Sequence, residues 1–227
     1  MHLIGWITIA SGLWLTYKLG KLLIVLLARL YRSWRPRRLY KLAPHQNAAL
    51  ALAHPMAIAN FENGFADSKE CPLSDDLARK LRPLLKHHFG LHVDSTDAQI
   101  RVQLPARLRA GWFRTDLDAL QADDQPQPAI AFACARTAFY LRVSALLGWI
   151  DADTQWLLLD LNRKRAQECF ASWEEFGSAW AQGRRQWVAG SRADSFGKAF
   201  DPAQVAYWVR ERGHPWRQLE WGVAAQE

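Results

Sequence analysis

Apolar positions fall along this chain in two textures. From Leu3 to Leu27 they form a dense run, with 13 Leu, Ile or Val and neither an acid nor a proline. From about residue 45 onward they recur at intervals of three and four, the period of helices that turn one face to a core. No stretch shows the alternation of a half-buried strand. The expected fold is therefore all-α: an N-terminal membrane helix followed by a compact multi-helix bundle domain. The expected division is a membrane anchor over 1–31, a basic juxtamembrane linker over 32–44 and a helical cytoplasmic domain over 45–222.

Within the domain, residues 45–62 read as helix, kinked or split by Pro55 and ended by the turn Asn63-Gly64. Ser74 is the N-cap of a helix striped by Leu77, Leu81, Leu84 and Leu85, disturbed at Pro83 and closed by Gly90. A further segment from Asp94 or Ser95 is expected to break at Pro105, and a short one to start at Thr115. Residues 121–128 read as a polar loop. The second half is more regular. Residues 129–148 form a buried helix ending at Gly148, and Asp151 caps a helix over about 152–170. Ser172 caps another, with Glu175 completing a capping box. In that helix Trp173, Phe176, Trp180, Gly183 and Trp187 share one face, and the glycine among them should admit a neighbouring backbone. Asp201-Pro202 opens the last clear helix, stopped at Gly213.

As a helix, residues 3–27 would be about 37 Å long, against roughly 30 Å of hydrocarbon. Lys18 and Lys21 oppose insertion at up to ~3 kcal/mol each, while thirteen aliphatics at roughly −0.5 kcal/mol each favour it. The balance is near even, and lysines that reach toward the interface tip it toward spanning. Because Ser11, Lys18, Lys21, Arg29 and Arg32 fall near one helical face, a helix partly lying in the interface is the alternative. Arg29, Arg32, Arg35, Arg37, Arg38 and Lys41 follow, interleaved with Tyr31, Trp34 and Tyr40. This is a cationic, aromatic flank for anionic lipid, and it places the N-terminus outside and the domain in the cytoplasm.

Charge sharpens the picture. The first 61 residues hold eight basic residues and no acid, while the remainder sums to −1. The near-neutral domain argues against a nucleic-acid partner. Cys71, Cys134 and Cys169 are odd in number and widely spaced, so neither a disulfide framework nor a zinc site is expected.

Candidate chemistry is sparse. His87, His88 and His92 read as surface or helix-end residues rather than ligands, with Gly90 between them. Glu174 and Glu175 read as helix N-terminal acids, about 100° apart around the axis. Arg136, Arg142 and Arg184 lie on apolar helices and need buried partners, for which Asp160, Glu168 and Glu174 are the helical candidates; the alternative is an anion site. No metal site, no cofactor and no catalytic motif is recognisable, which weighs against an enzyme without deciding the matter.

Ala135-Arg136, Gly148-Trp149-Ile150, Trp156, the run Phe170 to Phe176 (FASWEEF) and Gly183-Arg184-Arg185-Gln186-Trp187 follow one another along the chain. In this order the chain resembles the bacterial family called domain of unknown function 1266, strongly over Ala135–Trp187 and weakly over most of 45–190. The resemblance singles out Arg136, Trp156, Ser172, Trp173, Glu174, Glu175, Phe176, Gly183, Arg184 and Trp187 as motif or interaction residues. Family members often carry an acid shortly before the first arginine. Here Phe132-Ala133-Cys134 stands in that stretch, so no role for that acid carries over.

Together these readings predict a membrane-anchored interaction or accessory module on the cytoplasmic face of a bacterial inner membrane, with anionic lipid and an unidentified protein as partners. The alternatives are an enzyme or toxin domain using Arg136 and Arg184 on an anionic substrate, and, through the family's secretion-linked associations, an immunity or regulatory protein.

Overall fold

The computed structural model describes residues 14, 16–24, 26–27, 42–61, 65 and 73–222. The chain divides into two units, Met1–Arg38 and Leu39–Glu227. In the first, every described residue is helical and exposed. The Lys18 ammonium lies 5.1 Å from the ring centre of Trp14, and that of Lys21 lies 6.0 Å from Tyr17. Each lysine thus leans back one turn over an aromatic ring, the direction in which helical side chains point. The expected anchor cations Arg29, Arg32, Arg35, Arg37 and Arg38 lie outside the described residues, as do Asn63, Gly64 and Cys71.

The described residues of the second unit contain helices and turns and no strand. In chain order the helices are α1 (Pro44–Ala51), α2 (His54–Asn60), α3 (Asp75–His88), α4 (Asp97–Gly111), α5 (Pro126–Leu146), α6 (Ala152–Cys169), α7 (Trp173–Ala189), α8 (Pro202–Trp208) and α9 (Pro215–Gln218). Short 3-10 turns at Trp112–Arg114 and Leu117–Ala119 bridge α4 and α5.

The centre is α5, which packs chiefly on α7 and α6; α1 and α2 also lie against it, and α8 packs on α7. Ala131, Ala135, Ala138, Phe139 and Val143 are fully buried on it. Among the described residues it is also the helix whose length and apolar composition would suit a membrane, but most of it is enclosed by the domain. Those two properties therefore single out a core helix, and the expected N-terminal span is not established by them.

Three expected breaks fall differently. Residues 45–62 do divide, into α1 and α2, with Pro55 in the first turn of α2 where its missing N–H is no loss. By contrast α3 and α4 run unbroken through Pro83 and Pro105. Leu81 and Leu85, like Leu104 and Leu108, are buried one turn apart on the face that packs, and this burial outweighs a lost hydrogen bond on the outer side. The expected loop over 121–128 ends early, because Pro126 already starts α5.

The Trp173–Trp187 face of α7 points into the core: Trp173, Phe176, Trp180 and Trp187 are all buried. A Cβ added to Gly183 would stand 2.0 Å from the carbonyl oxygen of Pro128, so the two helix backbones touch there. Ser172 accepts from the Glu175 amide at 3.1 Å, while the Glu175 carboxylate accepts from Ala171 rather than from Ser172, at 2.6 Å. Glu174 is exposed.

Indole N–H groups pin the later turns onto this core. Trp173 donates to Leu219 O (2.8 Å), Trp216 to Ala51 O (2.8 Å) and Trp221 to Phe170 O (2.7 Å). The Nε2 atoms of buried His54 and His214 are 2.7 Å apart. Since His214 Nδ1 accepts from the Trp216 amide (3.1 Å), its Nε2 carries the proton and donates to His54.

Candidate functional site

A buried arginine on a mainly apolar helix must be answered by charge from elsewhere. Arg136, in the middle of α5, is answered from two turns. Its Nε donates to Asp116 Oδ2 at 2.6 Å and its Nη1 to Asp194 Oδ1 at 3.3 Å. Asp194 also takes the Nε of Arg184, from α7, at 2.7 Å. The carboxylates of Asp116 and Asp194 and the guanidinium of Arg136 are each almost wholly enclosed. Two cations and two carboxylates thus form a neutral buried network tying α5, α7, the 115–119 turn and the 192–197 turn. The partners expected from the helices are engaged otherwise or face outward: Asp160 holds Arg163 and Lys164, and Glu168 and Glu174 are exposed. Arg142 donates to Gln155 at 3.3 Å.

Aromatic rings complete the surroundings of Arg136. Its guanidinium carbon is 5.2 Å from the ring centres of Phe132 and Tyr140 and 5.1 Å from that of Trp187, within cation–π range. Trp187 carries Arg192 as well, at 4.5 Å, and Arg192 is bound to Asp124 through two hydrogen bonds. The Tyr140 hydroxyl is buried beside the Arg136 guanidinium, and burial holds its pKa well above the usual phenol value, against the pull of Arg136.

Asp116 does more than pair. Its backbone is left-handed (φ +62°), a conformation that aspartate tolerates better than most residues but that still stores strain. Burial pushes its pKa up, against the pull of Arg136. The residue also lines an open groove of about 360 Å³. Leu104 and Leu108 of α4 lie buried beneath that groove, Phe89 borders it, and Arg107 and Arg114 give it charge. His88 stands at its other end, its ring 3.8 Å from that of Tyr140. Burial, and then Arg136, lower the His88 pKa to about 3, so this imidazole is neutral at physiological pH.

Of the residues the sequence put forward, the structure brings Arg136, Arg184 and Trp187 together. Ser172, Trp173, Glu175 and Phe176 lie at the other end of α7, and Trp156 is half-buried on α6. His92 is exposed, 3.6 Å from Asp94. No group of three metal-ligating side chains occurs among the described residues. Sequence reasoning missed Asp116, Asp194 and the groove. The available signal was the demand of Arg136 itself, which no helical acid is placed to meet.

An all-helical domain organised around a buried arginine–carboxylate network is the class of protein this architecture defines. Within that class, the chain belongs to the family described as protein of unknown function (DUF1266), whose model matches residues 51–221. No curated protein and no solved structure matches it.

Proposed function

We propose that the protein is a membrane-tethered accessory module. In this reading the N-terminal helix sits in the lipid of a bacterial inner membrane with its N-terminus outside, and the domain meets a protein partner on the cytoplasmic face. The observation that carries the reading is the character of the helix around residues 14–27. Trp14, Leu19, Leu22, Leu23, Ile24 and Leu27 are each more than half exposed on a helix whose described charged residues are Lys18 and Lys21 alone. Water disfavours such a surface at roughly 25 cal/mol per Å², and a cationic, acid-free run follows it directly. The pairing of Lys18 with Trp14 and of Lys21 with Tyr17 on one side favours, as a second form of the same tether, a helix that lies partly in the interface.

A partner for the domain is supported by its surface. Leu157 and Leu161, one turn apart on α6, are exposed, and Phe113 lies nearby, its carbonyl bound by Arg165 of the same helix. Crosslinking in intact membranes, followed by affinity recovery of the tagged full chain at native abundance, tests the reading. A reproducible crosslinked protein that is lost on Leu157→Lys/Leu161→Lys supports it; recovery of the chain alone counts against it. The alternative of an enzyme acting on an anionic substrate through Arg136 and Arg184 loses support, because both guanidiniums are held by Asp116 and Asp194 inside the domain.

A further inference from the structure

We propose that the open groove between the C-terminal halves of α3 and α4 and the turn carrying Asp116 is a binding site for a small organic anion with an apolar body of about the size of one ring. Its volume of about 360 Å³ lies within the range of ligand pockets, roughly 300–1,000 Å³, and at their small end. One ring fits that space; two acyl chains do not.

Three features give the groove its chemistry. First, Leu104 and Leu108, both buried on α4, form a rigid floor under the groove with almost no exposed surface of their own. Phe89 adds an aromatic edge. Second, two guanidiniums border the space with weak internal commitments. Arg107 is exposed and makes a long 3.4 Å bond to the Phe89 carbonyl. Arg114 pairs with Asp118 at 3.1 Å, with both side chains more than 60% exposed. Solvent-screened pairs of this kind are readily exchanged for a bidentate anion.

Third, the charge that could repel an anion is already cancelled from behind. Asp116 is neutralised by Arg136 within the buried network, whose two cations and two carboxylates sum to zero. What the groove presents to a ligand beyond that network is Arg107 and Arg114 against Asp118, a net positive charge, beside a neutral His88. The last carbonyls of α3 are also satisfied, because Phe89, Gly90 and Leu91 amides bond to Leu85, His87 and Lys86.

Gly111 supplies an independent handle. It lines the groove, and a Cβ built there would meet nothing within 4 Å, so the backbone leaves room for a side chain to start from this wall of the groove.

The test is calorimetric titration of the detergent-solubilised full chain with phenyl phosphate, inorganic phosphate and phenol. Phenyl phosphate should bind saturably, and the other two should each bind at least about tenfold more weakly, since each lacks half of what the groove reads. Arg107→Gln/Arg114→Gln should weaken phenyl phosphate binding by about tenfold or more. Gly111→Phe should abolish it at an unchanged melting temperature. Arg79→Gln, on the exposed side of α3, should leave it unchanged. Three results would each overturn the proposal: no saturable binding of phenyl phosphate, inorganic phosphate or phenol binding as tightly as phenyl phosphate, or the Gly111→Phe chain binding as the unmodified chain does.

Discussion

Arg136 and Asp116 are 20 residues apart in sequence and meet at 2.6 Å within the domain, the one from the central helix, the other from a turn held in left-handed backbone geometry. Asp194, 58 residues beyond Arg136, closes the network from the other side and shares its second oxygen with Arg184. These contacts tie two irregular segments to α5, alongside the packing of buried Phe196 on Phe139 and Tyr140.

Removal of Asp194 leaves two guanidiniums short of a carboxylate inside the domain. Asp194→Ala should cost about 3–5 kcal/mol, the range for breaking a buried ion pair from one side. Arg184→Gln should cost distinctly less, because Arg184 is the more exposed partner and Arg136 still holds Asp194. Urea unfolding of the two variants measures the difference; equal, small losses would show that the network contributes little.

The contact between Gly183 and Pro128 tolerates no side chain. Gly183→Ala would drive a methyl group against a backbone carbonyl, and the two helices would have to separate. A loss of about 2–3 kcal/mol is expected. Gly177→Ala also meets atoms at 2.5 Å, but these belong to the buried Trp216 and Val205 side chains rather than to backbone, and they are farther away than the 2.0 Å carbonyl at Gly183. It should be the milder substitution in the same unfolding experiment.

Ser191 follows the end of α7 with φ +59°, a geometry that an L-residue adopts at a cost of about 1–2 kcal/mol. Ser191→Gly removes that strain. The melting temperature should rise by a few degrees; a fall would mean that the serine side chain contributes more than its backbone costs.

His88 predicts an acid-sensitive step. In the unfolded chain its imidazole takes up a proton near pH 6.5, whereas in the folded domain it does so only near 3. Between these values the unfolded state binds the extra proton, so this contribution to stability is complete above pH 6.5 and is lost as the pH falls toward 3. His88→Phe keeps a ring against Tyr140 and cannot be protonated. Its stability should therefore depend less on pH between about 6.5 and 4 than that of the unmodified chain, as followed by denaturant midpoints across that interval.

The regular half of the domain was legible because local signals agreed. Asp151 and Ser172 cap the helices expected of them, Gly148 (φ +69°) ends α5, and the aromatic spacing of α7 describes a buried face. The spacing that flags Gly183 as a point of close approach is met by Pro128. Pro83 and Pro105 misled because the burial that overrides a helix breaker is tertiary, and no local pattern encodes it. The partners of Arg136 were illegible for a related reason. A turn carboxylate has no periodicity, and Asp116 and Asp194 reach the arginine only through a chain path set by the whole fold. The groove, bordered by the ends of two helices and a turn, leaves no trace in sequence spacing.

Whether the N-terminal helix holds this domain to a lipid bilayer is decided by fractionating cells that express the full chain. The membrane pellet is washed with high salt and then with alkaline carbonate. The tether predicts that the chain stays in the pellet through the salt wash, and through carbonate as well if the helix spans. Recovery of the full chain in the soluble fraction before any wash would contradict it.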